Sequence, residues 1–393
     1  MDMDNIRDSL SSDDMDEMNQ EEIIYLGDAD EVLEAFEDEI DSAEDEDFVP
    51  SRDDAIKTFT PEEPDKSVFC IAVHPEDKMW ATGTEADKLH IWNANGILQC
   101  SFDFEDSVVV VQFSADGTLL AAADMAGNIK VYNVTKEPYT SVFDYAVGDI
   151  QFLIWHKQAN VLFAGSITGD IYVLKVPSGD CKILLGHGSK VNCASLMADG
   201  TRIAAGYDDG VVKIWDIKNT SVQKQINTDS QIITIDTHFE NNVIMIGTAE
   251  GKMTLINATN GKILNDMKTN QSVESVAFYN NAELNLSAIG CLDGSIVIWD
   301  VTRNAIRQTL ESQAGVVTIK WLTGAKIISA HLDGCIRIYD GRSGVLENLF
   351  MGHRRAILDL AVSKNHKTFA TASDDGTAKL FDLQNPPPVE MDS

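Results

Sequence analysis

A short motif built around a tight turn recurs eight times along this 393-residue chain. In each copy, a run ending in small residues leads into the turn, and alternating apolar residues follow it. Four copies are clear: AAGYDDGVVKIWD (204–216), SAIGCLDGSIVIWD (287–300), ISAHLDGCIRIYD (328–340) and ATASDDGTAKLFD (370–382). Four weaker copies begin at residues 81, 121, 163 and 245. Self-similarity of this kind indicates an array of similar structural units.

The spacing of the copies identifies the unit. The aromatic or apolar residue near the end of each copy falls at Trp92, Tyr132, Leu174, Trp215, Ile256, Trp299, Tyr339 and Phe381. The intervals of 40, 42, 41, 41, 43, 40 and 42 residues are typical of a four-stranded propeller blade. Period-2 runs predict strands, and the repeat region shows no sustained helical period. The sequence therefore predicts an all-β fold, an eight-bladed WD40 β-propeller.

The two ends of the repeat region predict how the ring closes. The eighth copy ends near Phe381, one strand short of a full blade, and residues 55–60 have the length and alternation to supply that strand. Pairing both ends of the chain in one blade removes exposed sheet edges. We therefore predict a propeller over residues 55–384, with 55–60 as the closing strand of the last blade. Residues 385–393 are expected to be a short flexible tail.

Residues 1–54 are predicted to be a disordered acidic arm. They carry 23 Asp and Glu against only Arg7 and Arg52, and almost no aromatic residues. Within the arm, EEIIYLGDADEVLEAFEDEID (21–41) places Leu33, Phe36 and Ile40 near helical spacing. This stretch is open to two interpretations: a disordered segment with incidental apolar residues, or a motif that docks on a partner or on the propeller.

Charge and cysteine usage limit the classes of partner and compartment. The chain has a net charge of −33, and the part after residue 54 is acidic in its own right. Such a field repels nucleic acid and anionic membranes and attracts basic proteins. The six cysteines are scattered, the N-terminus lacks a basic signal-peptide region, and no apolar run is long enough to span a membrane. We expect a monomer with reduced thiols, in the cytoplasm or also in the nucleus, without membrane insertion or direct binding to nucleic acid.

Several polar residues of the repeat are assigned to structure. In a WD40 blade, a His, a Ser or Thr, the turn Asp and the Trp of the third strand form a buried hydrogen-bonded relay. The residues predicted for this role are His187, Asp209, Trp215, Asp293, Trp299, Asp333, His353, Ser373 and Asp375. The fourth copy has Tyr207 at the hydroxyl position, and the eighth has Phe381 in place of Trp.

Other residues of the same loops are predicted to bind a partner. Acids that the relay does not require are expected to lie on the rim formed by the second-to-third-strand turns. The predicted partner-binding residues are Glu85, Asp103, Phe104, Glu105, Asp106, Asp124, Tyr207, Asp208 and Asp374. Phe104 and Tyr207 are the aromatic anchors of this set, although Tyr207 is equally explained as packing within the relay.

Catalysis and metal binding are not expected. The eight histidines show no ligand spacing, and nucleophile motifs such as GxSxG and phosphate loops such as GxxxxGK[ST] do not occur. We predict no enzymatic activity, no cofactor and no metal site.

Several phrases resemble one family, the angio-associated migratory cell protein and its fungal relatives. They include SVFCIAVHP (67–75), VGDIQFLIWHKQANVLFAGSITGDIYVLKVPSGDCK (147–182) and GHRRAILDLAVSKN (352–365), and the resemblance covers essentially the whole repeat region. One departure is Thr168-Gly169, where members of the family often have Asp-Gly.

The resemblance implies a non-catalytic scaffold. The fungal branch looks like an escort that captures the basic N-terminus of a newly made large-subunit ribosomal protein, which the acidic charge independently favours. The animal branch implies the alternative, an adaptor in cell migration or signalling. A subunit that presents substrates to an enzyme is a third reading.

Overall fold

Eight antiparallel four-stranded sheets make up the fold. The structure is a computed structural model that describes residues 48–240, 243–281 and 284–387. The first strand of each sheet is innermost, and the first strand of blade 1 contacts those of both blade 2 and blade 8. The ring is therefore closed, which confirms the prediction of an eight-bladed β-propeller.

The first four blades are regular. Blade 1 contains β2 (Val68–Val73), β3 (Met79–Thr84), β4 (Lys88–Asn93) and β5 (Leu98–Asp103), and blade 2 contains β6 (Val108–Phe113), β7 (Leu119–Asp124), β8 (Asn128–Asn133) and β9 (Thr140–Ala146). Blade 3 contains β10 (Ile150–Trp155), β11 (Val161–Ser166), β12 (Ile171–Lys175) and β13 (Cys181–Leu184), and blade 4 contains β14 (Val191–Leu196), β15 (Arg202–Tyr207), β16 (Val211–Asp216) and β17 (Ser221–Asn227).

The remaining blades follow the same order, with one short helix and β1 (Lys57–Phe59) added. Blade 5 contains β18 (Ile232–Thr237), β19 (Val243–Thr248), β20 (Lys252–Asn257) and β21 (Ile263–Lys268), and blade 6 contains β22 (Val273–Phe278), β23 (Leu286–Cys291), β24 (Ile296–Asp300) and β25 (Ala305–Leu310). Blade 7 contains β26 (Val316–Leu322), a 3-10 helix (Thr323–Ala325), β27 (Lys326–His331), β28 (Ile336–Asp340) and β29 (Leu346–Phe350), and blade 8 contains β30 (Ile357–Val362), β31 (Thr368–Ser373), β32 (Ala378–Asp382) and β1.

The core lies between the blades. The second strands are buried almost along their whole length, as in LLAAAD of β7 and RIAAGY of β15. Both faces of such a strand pack against neighbouring blades, and small residues allow those blades to approach closely. The hydrophobic clusters accordingly combine residues of adjacent blades; one unites Trp80 and Trp92 of blade 1 with Ala370 and Leu380 of blade 8.

The ring closes by pairing the two ends of the repeat region. Strand β1 pairs antiparallel with β32, with Lys57 opposite Leu380 and Phe59 opposite Ala378. Phe59 is fully buried, and its ring centroid lies 5.3 Å from that of Trp92 and 6.4 Å from that of Trp80. One aromatic side chain thus anchors the closing strand to the first blade as well as the last.

Residues 48–54, which the sequence placed in the arm, are attached to the propeller. The backbone N–H of Phe48 donates to the carbonyl of Arg354, and that of Asp54 donates to Met351. The guanidinium of Arg52 donates to the carbonyl of Leu349 at 2.8 Å, and Asp53 forms an ion pair with Lys379. The predicted arm therefore includes seven residues that belong with the last two blades. Residues 1–47 and 388–393, which hold the rest of the predicted arm and most of the tail, lie outside the described residues.

Truncation of the anchor should weaken ring closure. We expect Phe59→Ala to lower the free energy of unfolding by about 3–5 kcal/mol, because it leaves a cavity between two indole rings. Chemical denaturation followed by tryptophan fluorescence measures the change. Thr58→Ala, at an exposed neighbouring position of the same strand, should have little effect. Equal stability of the two variants would mean that β1 does not hold the ring closed.

Candidate functional site

One backbone hydrogen bond recurs at the same rim of all eight blades. In each second-to-third-strand turn, one N–H donates to the carbonyl of the residue just before the blade's innermost strand, over 2.9–3.1 Å. The donors are Glu85, Met125, Ile167, Asp208, Ala249, Leu292, Leu332 and Asp374. We call these eight residues the rim ring. Because the backbone makes the bond, the side chain at each position does not have to serve the fold.

A second ring lies at the start of the innermost strands. Every first-to-second-strand pairing is interrupted by a bulge at the second residue of the innermost strand. The bulged residues are Phe69, Val109, Gln151, Asn192, Ile233, Glu274, Val317 and Leu358, all of them half-buried. We call them the mouth ring. Phe69, Val109 and Leu358 line a cavity of about 510 Å³ between the innermost strands.

Charge is distributed unequally between the two rims. Without the attached segment 48–56, the loops at the rim-ring end carry 18 acidic residues and 4 basic ones, whereas the described loops at the opposite end carry 7 acidic and 9 basic ones. The acids of the first group are Glu62, Glu63, Asp65, Glu85, Asp87, Glu105, Asp106, Asp149, Asp170, Asp208, Asp209, Asp229, Glu250, Asp293, Glu311, Asp333, Asp374 and Asp375. The acidity of the propeller is thus concentrated at the end where the predicted partner-binding acids lie.

Two predicted acids come together where blade 8 meets blade 1. The Ser67 hydroxyl donates to Asp374 at 2.6 Å, and the Ser67 backbone N–H donates to Glu85 at 3.1 Å. Lys66 also forms an ion pair with Glu85 at 2.9 Å, and this contact lowers the pKa of the Glu85 carboxyl. Arg355 forms a longer ion pair with Asp374, at 3.8 Å. Both carboxylates remain partly exposed, so a cation from a partner can reach them and compete with Lys66 and Arg355.

The third predicted rim acid, Asp208, lies on blade 4. Its carboxylate accepts hydrogen bonds from the side-chain amides of Gln231 at 2.6 Å and Asn192 at 3.3 Å. Both donors are neutral, so the negative charge is not cancelled, and the side chain is exposed. Asp208 therefore presents an oriented carboxylate to the rim.

The loop that follows blade 1 divides into exposed and structural residues. Asp103 and Glu105 are exposed, and Asp106 accepts a hydrogen bond from the N–H of Ser107. Phe104 is buried, with the Lys130 ammonium 4.6 Å from its ring centroid. Phe104 is therefore a packing residue rather than an exposed anchor.

Two further predicted partner-binding residues are also inaccessible. Asp124 is fully buried, and its carboxylate accepts from the backbone N–H and side-chain amide of Asn128 at 2.7 and 2.8 Å. Tyr207 is fully buried against His187, and burial raises the pKa of its hydroxyl to about 12. Both precede a rim-ring residue by one position, so they point into the blade. The structure removes Phe104, Asp124 and Tyr207 from the partner-binding set.

The predicted relay is most complete in blade 8. His353 contacts Asp375 at 2.9 Å through Nδ1 and the Thr371 hydroxyl at 2.8 Å through Nε2, and His353 lowers the pKa of Asp375 against the effect of burial. Thr371 thus holds the hydroxyl position predicted for Ser373. The Ser373 hydroxyl instead donates to the carbonyl of Ala356.

The other predicted relay residues form only parts of it. His187 contacts Asp209 at 2.8 Å, but the indole N–H groups of Trp215 and Trp299 make no hydrogen bond among the described residues. Asp293 accepts from the N–H and hydroxyl of Ser295, and Asp333 forms an ion pair with Arg337 at 2.6 Å. Asp293 and Asp333 therefore stabilise their own turns and are not part of a relay.

Two blades contain partial relays that the sequence reading missed. In blade 1 the Trp92 indole donates to the Thr82 hydroxyl at 2.9 Å, and in blade 7 His331 contacts the Ser329 hydroxyl at 2.8 Å. His331 lies on the second strand instead of before the first. Thr82, Ser329 and Thr371 occupy the same position in their copies, because two residues separate each of them from the turn. An alignment of the copies on their turns would therefore have identified all three hydroxyl residues.

Across 48–387, outside the two internal gaps, no helix has the length and apolar character needed to cross a bilayer. The described residues also contain no group of three or more His, Cys, Asp or Glu side chains that could hold a metal ion.

Comparison with known proteins identifies the family. The angio-associated migratory cell protein of Homo sapiens is 33% identical over 346 residues, which are 81% of this chain and 78% of that protein. This chain belongs to the angio-associated migratory cell protein family. The result confirms the resemblance read from the sequence.

Domain families and solved structures agree with the propeller. The family described as "WD domain, G-beta repeat" matches residues 97–133 and 344–382, and "Nucleolar protein 10-like, N-terminal domain" matches 150–350. "Ribosome assembly protein SQT1" of Saccharomyces cerevisiae is 19% identical and covers 81% of this chain and 85% of its own length. The crystal structure of Chaetomium thermophilum Sqt1 bound to the N-terminus of ribosomal protein L10 aligns with a TM-score of 0.77, at 21% identity over 84% of this chain and 100% of that chain.

In this member of the family, side chains at the channel also join neighbouring blades. The Asp236 carboxylate of blade 5 accepts from the backbone N–H of Phe278 in blade 6 at 2.8 Å, and Asp359 of blade 8 accepts from Ile71 in blade 1 at 2.9 Å. Asp236 is half-buried on β18, the innermost strand of blade 5. Burial raises the pKa of Asp236 to about 6.

This raised pKa predicts a pH dependence of stability. The folded chain protonates Asp236 near pH 6, whereas the unfolded chain does so near pH 4, so protonation favours the folded state. As the pH falls from 7 to 4, the wild type should gain about 2 kcal/mol of unfolding free energy relative to Asp236→Asn. Urea titrations of both proteins across this range measure the difference. A difference that does not change with pH would contradict the assignment.

Proposed function

We propose that this chain is a non-catalytic chaperone that captures the basic N-terminal segment of a newly made large-subunit ribosomal protein and supports ribosome assembly. The observation that carries the proposal is the concentration of acidic residues at the rim-ring end of the propeller. Supporting it, one structural neighbour is described as bound to the N-terminus of ribosomal protein L10, and one relative as a ribosome assembly protein.

The physical basis of capture is electrostatic. Exposed carboxylates on one rim attract a basic segment from solution and raise the rate of association, and they shield it from unspecific contacts with RNA. Glu85, Asp374 and Asp208 are fixed by hydrogen bonds to Ser67, Gln231 and Asn192, so they lose little conformational freedom on binding. Asp103, Glu105 and Asp106 extend the acidic surface beyond blade 1.

A charge reversal at the rim ring tests the proposal. The variant Glu85→Lys, Asp208→Lys, Asp374→Lys should bind a labelled peptide of the N-terminal segment of ribosomal protein L10 at least about tenfold more weakly than wild type at low salt. Fluorescence anisotropy measures the affinity. For the wild type, the affinity should also fall steeply as salt is added.

The matched control reverses three acids at the opposite rim. Glu76→Lys, Glu137→Lys, Asp180→Lys changes the net charge by the same amount, and all three side chains are exposed. It should bind the peptide nearly as well as wild type. If both variants lost affinity for the peptide equally, the overall charge of the protein, rather than the rim, would attract the peptide.

The alternative is an adaptor for cell migration or signalling, which the name of the 33% identical relative favours. Affinity purification at low and moderate salt separates the two functions. A ribosomal protein recovered near stoichiometry and released by salt supports the chaperone. Receptor or cytoskeletal proteins that stay bound as salt is raised support the adaptor, and would overturn the proposal.

A further inference from the structure

The rim ring is not uniformly acidic. In order around the propeller from blade 8, its residues are Asp374, Glu85, Met125, Ile167, Asp208, Ala249, Leu292 and Leu332. Two apolar pairs, on blades 2–3 and on blades 6–7, therefore alternate with positions that are acidic or small. The arrangement approximates a two-fold repeat around the axis.

All four apolar side chains of this ring are exposed. Their exposed fractions are 51% for Met125, 45% for Ile167, 43% for Leu292 and 44% for Leu332. The backbone bond of each turn makes no demand on its side chain, so the fold does not require an apolar residue at any of these positions. Grouped apolar side chains that remain in water are typical of binding surfaces.

Within each pair, the two turns are brought together by the segment between them. The Leu332 N–H donates to the carbonyl of Gly315, and a Cβ on Gly315 would lie 2.9 Å from Cδ1 of Leu332 and 2.6 Å from the carbonyl oxygen of Leu292. A residue without a side chain thus separates the two leucines. On blades 2–3, Gly127 in the turn of Met125 packs against Gly148. The N–H of Ile167 donates to the carbonyl of Asp149, the residue that follows Gly148.

Three apolar residues of the mouth ring extend this surface towards the axis. Phe69 and Leu358 lie inside the two blades that carry Glu85 and Asp374, and Val109 lies inside the blade that carries Met125. A segment lying across this sector therefore meets carboxylates and apolar surface together. A uniformly basic segment would leave the apolar surface in water, and a purely apolar segment would offer no cation to the carboxylates.

We propose that the rim ring selects basic partner segments in which arginine or lysine residues are interspersed with bulky apolar residues. The cations contact Glu85, Asp374 and Asp208, and the apolar side chains contact the Met125–Ile167 and Leu292–Leu332 pairs. This inference rests on the proposed function and adds to it the chemistry that distinguishes one basic segment from another. Electrostatic attraction is shared by all basic segments, whereas apolar contact is not.

Two synthetic peptides of equal length and charge test the proposal. One alternates arginine with leucine and the other alternates arginine with serine. Wild type should bind the leucine peptide at least about tenfold more tightly, as expected when a few apolar side chains are buried. Added salt should weaken both complexes, while the preference for the leucine peptide should persist.

The variant Met125→Ser, Ile167→Ser, Leu292→Ser, Leu332→Ser should bind the two peptides with nearly equal affinity. It should keep the wild-type affinity for the serine peptide, which shows that the rim remains folded. Ile97→Ser, Val345→Ser is the matched control, because these side chains are 60% and 59% exposed at the opposite rim. The control should retain the wild-type preference.

The outcomes separate this inference from the proposed function. If wild type binds both peptides equally, or if the four-residue variant keeps the preference, selection by apolar contact is overturned. In that case, a loss of affinity for both peptides in the variant Glu85→Lys, Asp374→Lys would still support acidic capture. If this charge variant binds both peptides as wild type does, acidic capture itself fails.

Discussion

In each blade of this propeller, a hydrogen bond joins the second-to-third-strand turn to the residue just before the innermost strand. This bond fixes the turn and leaves the side chain of the donor residue available for recognition. It uses only backbone atoms, and it forms in all eight blades whether the donor residue is Glu85, Met125, Ala249 or Leu332. The turn geometry is therefore independent of the side chain at this position. Substitution there changes the surface that the rim presents and leaves this backbone bond in place. A binding surface can thus vary around a constant scaffold.

Side-chain networks within the blades show the opposite behaviour, because each depends on particular residues. The His353–Asp375–Thr371 network of blade 8 is fully connected, whereas blade 1 keeps only a Trp–Thr bond and blade 7 uses a histidine from another strand. Blades with fewer polar contacts are stabilised by the apolar clusters that they share with their neighbours. The ring tolerates this variation because each blade is packed on both sides, and ring closure by β1 leaves no sheet without a neighbour.

The period of the repeat was sufficient to predict the fold, since eight evenly spaced copies leave few other architectures. Site residues were harder to predict because a shift of one or two positions changes the role of a side chain in a strand. Asp124 and Asp208 both lie near a turn, but only Asp208 occupies the rim ring. Thr371 and Ser373 lie on the same face of β31, so alternation alone cannot distinguish which hydroxyl meets His353. The exposed pairs Met125–Ile167 and Leu292–Leu332 were missed because the sequence reading considered only acids and aromatics as binding residues.

Acidic and apolar rim residues contribute to binding in different ways. Carboxylates act over several ångströms and bring any basic segment to the rim, but salt screens them and they discriminate poorly between such segments. Apolar side chains act only on contact and are insensitive to salt, so they lengthen the lifetime of those complexes whose shape and sequence fit. A chaperone for one basic protein needs both properties, because the cell contains many basic segments. Asp374 and Glu85 are followed around the ring by Met125 and Ile167. Carboxylates and apolar side chains therefore lie on neighbouring blades of a single rim.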